Sequence, residues 1–357
     1  MDIAILKTAA LGDVVRTTSI LAGLVERYAP ARVTWITAPN AVDLVRTHPL
    51  IQRVCAVDPK DPATFEGVEE KLLETSFGRV LSFDDEESMC ALATRLGGAR
   101  ADVISGAFLD PKSGECRYTK DCAPWFDMGL LSVFGKEEAD RRKRENRESH
   151  PAIFASMLGL SKGRPELHLT DEARRFATGF RARHGLDSGG PSIGLNTGSG
   201  GRWDSKKLGV ESTVRTAQLL AQELHEPPTY LLMGGPEEGE RNASIAAGLK
   251  ACRPSIRWVD AGVDNSLLEF AGLVDGLDLL LTSDSLALHL ATARQVPLVA
   301  FFAPTPAAEI DFYGRGAAVI SEADDYASYR PDADTSTLTP ERLVSACLDV
   351  LSRDTPR

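Results

Sequence analysis

The 357-residue chain has no apolar run that approaches the roughly 20 residues a membrane-spanning helix needs. Its first residues, Met1-Asp2-Ile3-Ala4, lack the positively charged segment of a secretory signal, so a cytoplasmic protein is expected, at most in peripheral contact with the inner face of the cell membrane. There is no basic excess. Forty Lys and Arg stand against 51 Asp and Glu, a net charge of −11, which excludes a general nucleic-acid binder because counterion release needs a cationic face. The six cysteines (Cys55, Cys90, Cys116, Cys122, Cys252, Cys347) form no C-x-x-C pair, so neither a zinc site nor a disulfide framework is expected. Cys116 and Cys122 are the pair closest in sequence. G-x-G-x-x-G is missing as well, and with it the dinucleotide fingerprint.

What remains is a chain of ordinary globular composition, 43% hydrophobic and 25% charged, and too long for one core. Short apolar runs alternate with helical periodicity. In the first half, strands are expected at Asp2 to Lys7, Arg32 to Thr37, Val54 to Val57 and Arg79 to Phe83. Helices are expected at about Val14 to Tyr28, Val42 to Arg46, Thr64 to Glu74 and Glu86 to Leu96. Gly106 to Trp125 shows no period and reads as a loop beside a cleft between two domains. Lys136 to Glu148 is a charge run, read as the solvated face of a helix, with a basic patch for an anionic acceptor or membrane as the alternative.

After a linker near Ser161 to Pro165 and a helix from Asp171 to His184, the alternation restarts. Strands are expected at Pro191 to Asn196, Tyr230 to Met233, Ile256 to Val259, Leu277 to Leu281 and Val296 to Phe302. Two α/β domains follow, 1–163 and 164–357, each an open and mainly parallel sheet with helices on both faces. The last helix, Pro340 to Leu351, could pack on either.

Three strand-to-helix turns in the second half carry candidate chemistry. Asn196-Thr197-Gly198-Ser199-Gly200-Gly201-Arg202-Trp203-Asp204-Ser205-Lys206-Lys207 joins glycines that admit close backbone approach to cations that offset diphosphate charge. Met233-Gly234-Gly235-Pro236-Glu237-Glu238 opens a helix, as does Thr282-Ser283-Asp284-Ser285. Backbone amides and the positive dipole end of a helix make each turn an anion site, and three on one sheet edge point to a nucleotide diphosphate. In the first half, Gly12-Asp13 stands at the matching edge. Asp13 reads either as an N-cap or as a general base. His289, one turn into the helix after Asp284, reads either as a hydrogen-bonded loop support or as a group facing the turn.

Leu11-Gly12-Asp13-Val14-Val15-Arg16-Thr17-Thr18 resembles the Gly-Asp motif of the heptosyltransferases, the family 9 glycosyltransferases. Asp284-Ser285-Leu286-Ala287-Leu288-His289, followed by Pro297 and Ala303-Pro304-Thr305, resembles their C-terminal signature. The resemblance runs in order through nearly the whole chain. It implies two Rossmann-like domains facing across a cleft, the GT-B arrangement, with acceptor on the first and donor on the second. It also implies an inverting, metal-independent transfer of a heptose or related hexose from a nucleotide-diphosphate donor, with ADP favoured, and no cofactor. The acceptor would be a cell-envelope glycan, a glycoconjugate or a lipid-linked sugar.

Carried over residue by residue, the resemblance makes Asp13 the base, with Gly12 beside it. Lys206 becomes the phosphate cation, Glu238 an acid near the ribose, and Asp284 the carboxylate on the sugar. The amides of Ser285 and Leu286 become the pyrophosphate cradle, and Thr197, Gly198, Arg202 and His289 contacts or supports around the donor. Two positions depart from the family pattern: Leu286 stands where glycine is common, and Asn265 stands where the backbone often meets the base. A nucleotide-sugar epimerase and a non-catalytic nucleotide-sugar-binding module are the alternatives on the same architecture.

Overall fold

The computed structural model describes residues 1–98, 101–201 and 203–353, and the chain divides into two compact units, Met1–His168 and Leu169–Arg357. The division falls five residues beyond the expected boundary because residues 163–168 are bound to the first unit. The Glu166 amide donates to Thr18 Oγ1 at 2.9 Å and the Thr47 hydroxyl to the His168 carbonyl at 2.5 Å. A side chain at Gly163 would stand 2.3 Å from the Ser19 carbonyl oxygen.

The first unit is one sheet of β1 (Asp2–Leu6), β2 (Arg32–Thr37), β3 (Ile51–Ala56), β4 (Arg79–Ser82), β5 (Ile104–Leu109) and β6 (Cys116–Tyr118), in the order β3-β2-β1-β4-β5-β6. All pairs are parallel except β5 with β6. Ala4, Leu6, Ile36 and Val80 share a buried face with Met89, Leu92 and Leu96 of the helix Glu87–Gly97. Burial on both faces is what gives these strands their continuous apolar character.

The second unit repeats the plan with β7 (Ser192–Asn196), β8 (Thr229–Leu232), β9 (Arg257–Asp260), β10 (Leu279–Ser283), β11 (Leu298–Phe302) and β12 (Gly316–Ile320), ordered β12-β11-β10-β7-β8-β9 and parallel throughout. Alternate residues divide between two cores. Leu279, Leu281, Val299 and Phe301 face one, and Leu280, Leu298, Ala300 and Phe302 face the other. The helix Pro340–Ser352 packs on this unit, against β11, β12 and the helix Val210–Glu223.

Four expectations are corrected. The first helix starts at Leu11 and tightens at Thr18–Ile20 before resuming at Leu21–Arg27, because Thr17 and Thr18 return their hydroxyls to the carbonyls of Asp13 and Val15. Gly67, at φ +68°, separates the turn Pro62–Phe65 from the helix Val68–Leu73. The stretch expected as a loop from Gly106 holds most of β5, the hairpin to β6 and two short helical turns. β12 was not expected at all. In the charge run, the helix Lys136–Glu145 pairs Arg141 with Glu138 and Glu145, and Arg142 with Glu138 and Asp127. That pairing favours the solvated-helix reading. All six cysteines are free thiols, so Cys116 and Cys122 are not joined.

The carboxyl ends of β1 and β4 are tied by charge. Lys7 Nζ lies 2.5 Å from Asp84 Oδ1, and Asp84 Oδ2 accepts from the Thr8 amide at 2.5 Å and the Thr8 hydroxyl at 2.7 Å, all of it buried. Burial works against the Lys7 ammonium, yet Asp84, aided by Asp13, holds its pKa above the ordinary lysine value. Asp84→Ala would leave a buried ammonium without its carboxylate. The expected loss is about 3–5 kcal/mol in urea unfolding, and a loss under about 1 kcal/mol would show that the pair does not hold this edge together.

Candidate active site

In the second unit the turns after β7, β8 and β10 enclose a cavity of about 300 Å³. Asn196, Gly198, Gly235, Glu238, Ser285 and Leu286 are among its walls, with Val263, Leu267 and Phe270 as an apolar side. Ser285 is the N-cap of the helix Leu286–Arg294 but caps it without a side-chain bond. Its hydroxyl instead meets Asn196 Nδ2 at 3.1 Å and Thr282 Oγ1 at 3.3 Å. The first amides of a helix have no partner within it, so those of Ser285 and Leu286 belong to an anion-accepting turn. The Leu286 side chain narrows that turn without removing its N–H.

Beside the cavity, Lys206 Nζ lies 2.7 Å from Asp284 Oδ2 and 3.1 Å from the Asp284 carbonyl, and the Thr305 hydroxyl donates to the same carboxylate oxygen at 2.7 Å. Burial would raise the Asp284 carboxyl, but Lys206 first and His289 next outweigh it, with Thr305 helping, and hold it far below the usual range. His289 is buried on the helix and acts on Asp284 through charge, which fits loop support. Thr305 was legible only within the resemblance. No rule of spacing singles out a threonine 21 residues after the aspartate it serves.

Glu238 is buried, and both its oxygens are engaged: Oε1 accepts from the Gly200 amide at 2.6 Å and Oε2 from the Gly235 amide at 2.9 Å. A Cβ at Gly198 or Gly234 would meet Glu238 side-chain atoms at 2.5 or 2.6 Å. Two of the glycines expected to admit a ligand therefore admit Glu238. Thr197 is corrected too. It is absent from the cavity wall, and its hydroxyl meets Arg241 Nη2 at 2.9 Å and Thr213 at 3.1 Å, which pins the loop from behind. Arg241 was not expected, because a helical arginine gives no signal in sequence. Arg202 lies outside the described residues.

In the first unit, Gly12 and Asp13 stand in the first turn of the helix Leu11–Thr17, whose N-cap is Ala10. Asp13 is therefore not the N-cap. Arg16 Nε lies 3.0 Å from Asp13 Oδ1, and the guanidinium of Arg16 rests over Trp125, 5.2 Å from the ring centroid.

A second polar cluster of this unit, His48, Glu166 and His168, brings two imidazoles and a carboxylate within 4.8 Å. The Leu50 amide donates to His48 Nδ1 at 3.2 Å, so neutral His48 carries its proton on Nε2, the nitrogen facing Glu166 at 3.8 Å. That tautomer offers a donor where a metal needs a lone pair. Burial, with His168, depresses the His48 pKa to about 4.

The glycosyltransferase family 9 (heptosyltransferase) model matches residues 152–336. No curated protein sequence matches the chain. Among solved structures, a family 9 glycosyl transferase from Veillonella parvula superposes with a TM-score of 0.74 at 20% identity, over 98% of this chain and 97% of its own. The ADP-heptose lps heptosyltransferase II of E. coli gives 0.65 at 16% identity, over 98% of both chains. The E. coli heptosyltransferase WaaC, solved with ADP, gives 0.60 at 20%, over 98% and 97%. At these identities the likeness is one of fold.

The Lys206–Asp284 pair has a defined pH signature. Because the folded Asp284 carboxyl lies below its ordinary value of 3.8, its contribution to stability is present above about pH 4 and lost as pH falls through the folded value. Lys206→Met is expected to cost about 3 kcal/mol at pH 7. The deficit should shrink when unfolding is repeated at progressively lower pH below 4. A deficit that does not change with pH would show that the loss is one of packing alone.

Proposed function

The chain belongs to glycosyltransferase family 9, the heptosyltransferase family, and is a glycosyltransferase; from that premise we propose that it moves a heptose or related hexose from an ADP-linked donor to a cell-envelope or glycoconjugate acceptor. The observation that carries this reading is the Lys206–Asp284–Thr305 cluster beside a cavity that collects the amides of three turns. ADP is favoured because two relatives of the same fold are described with ADP-heptose or ADP. No described helix is long and apolar enough to cross a membrane, and the proposed site of action is the cytoplasm or the inner face of the membrane.

In the proposed mechanism the acceptor hydroxyl attacks the anomeric carbon from the face opposite the diphosphate, inverting its configuration, and gives its proton to Asp13. Arg16 sets the orientation of that carboxylate. As the bond to the diphosphate breaks, negative charge grows on the leaving oxygens. Lys206 and the Ser285 and Leu286 amides are fixed before that charge appears, so no reorganisation opposes it and no metal is invoked. Asp284 holds sugar hydroxyls, and Glu238, braced on Gly200 and Gly235, faces the ribose.

A thermal-shift panel of nucleoside diphosphates and their sugars tests the donor. ADP and an ADP-sugar should each stabilise the protein by about 2.7 kcal/mol at one hundred times the dissociation constant. Silence across the panel overturns the donor assignment. Asp13→Ala should retain that stabilisation while turnover drops about 10²- to 10⁴-fold. Undiminished turnover per bound donor would remove Asp13 as the base. Epimerisation of a donor incubated alone would replace the transferase reading.

A further inference from the structure

The first unit holds a cavity of about 460 Å³ whose walls come from the turns after four strands: Thr8 to Leu11 after β1, Ala38 to Asn40 after β2, Asp58 to Lys60 after β3 and Glu86 after β4. All four turns stand on the carboxyl edge of the sheet, where open α/β sheets bind their ligands. Alanines, prolines and Leu11 give the cavity aliphatic surface. Asn40, Asp58, Lys60 and Glu86 give it a mix of acceptors and donors. A sugar ring has the matching chemistry, with C–H faces for the first set and hydroxyls for the second.

Charge then selects among sugars. Among the described residues, Lys60 is the one cationic side chain in the wall, against the carboxylates of Asp58 and Glu86. Lys7, which precedes Thr8, is cancelled by Asp84 at 2.5 Å. Burial, followed by the Asp84 and Asp85 carboxylates, raises the Glu86 pKa, so the surroundings already resist the negative charge they hold. The positive end of the short helix that Leu11 opens carries Asp13 on its first turn. A phosphate or carboxylate entering here would meet two carboxylates against one lysine. This differs from the second unit, whose cavity is lined, among the described residues, by a single carboxylate, Glu238, with both oxygens bonded to backbone amides.

We propose that the first-unit cavity takes an uncharged, hydroxyl-rich sugar of the acceptor, and that Asp58 and Glu86 select against phosphorylated or carboxylated sugars. The proposal rests on the glycosyltransferase reading and deepens it. The test is calorimetric titration of the full chain, saturated with ADP, at low ionic strength, with methyl hexopyranosides, hexose 6-phosphates and hexuronic acids of matching configuration. The methyl glycosides should bind, and the charged sugars should bind about tenfold more weakly, a gap that added salt narrows.

Glu86→Gln and Asp58→Asn should each weaken methyl glycoside binding and shrink the discrimination about fivefold, with stabilisation by ADP unchanged. Equal or tighter binding of the charged sugars, no methyl glycoside binding, or insensitivity to both substitutions overturns the proposal. The salt dependence of the wild-type protein decides the matter should either variant fail to fold. If ADP itself does not stabilise the wild type, the transferase reading falls. If ADP stabilises it and the sugar panel fails, only this cavity's assignment falls.

Discussion

Each sheet is held at the same place by a lysine–aspartate pair. Strand order reverses between β1 and β4 in the first unit and between β7 and β10 in the second, and Lys7–Asp84 and Lys206–Asp284 follow those strands. At such a point the turns diverge to opposite faces of the sheet, which opens a crevice and removes the packing that would otherwise hold them. A charge pair substitutes for that packing. Its desolvation cost is offset only when the remaining lone pairs are filled. Thr8 fills them on Asp84 through its amide and hydroxyl, and Thr305 does so on Asp284.

The two pairs differ in what they leave open. The Asp84 side chain is 3% exposed and the Asp284 side chain 19%. The first is a closed tie that fixes the turn leading to Asp13. The second is part-exposed and leaves its carboxylate accessible on one side. The same device thus closes the edge of one sheet and leaves that of the other accessible.

The α/β class, the two sheets and nine of the twelve strands produce a readable pattern because buried parallel strands are apolar throughout and glycine or proline marks their ends. β5, whose Ile104-Ser105-Gly106-Ala107 is broken by a serine and a glycine, escaped it, as did β6 and β12. β6 has three residues, too few for a period, and β12, Gly-Ala-Ala-Val-Ile, is an edge strand with one buried position. Within the site, strand-to-helix turns are legible because their residue types are. Which side chains meet inside them is not. Thr197 and Lys206 stand in one glycine-rich turn, yet the first faces Arg241 and Thr213 while the second faces Asp284. That choice is made by the two helices behind the loop, Val210–Glu223 with Thr213 and Gly239–Ala251 with Arg241, and no local pattern encodes it.

Glu238 has a structural reason for its position that the sequence does not display. A carboxylate oxygen accepts two donors, so after the Gly200 and Gly235 amides each oxygen keeps some acceptor capacity. What Glu238 has lost is freedom to move. Gly198 and Gly234 are glycines because the glutamate fills the space where their side chains would stand. Three turns are thereby held in register before any ligand arrives, since Ser283 Oγ also donates to the Gly198 carbonyl at 2.6 Å. Bonds of this kind, made within the folded protein, lower the cost of ordering the turns around any ligand that binds there.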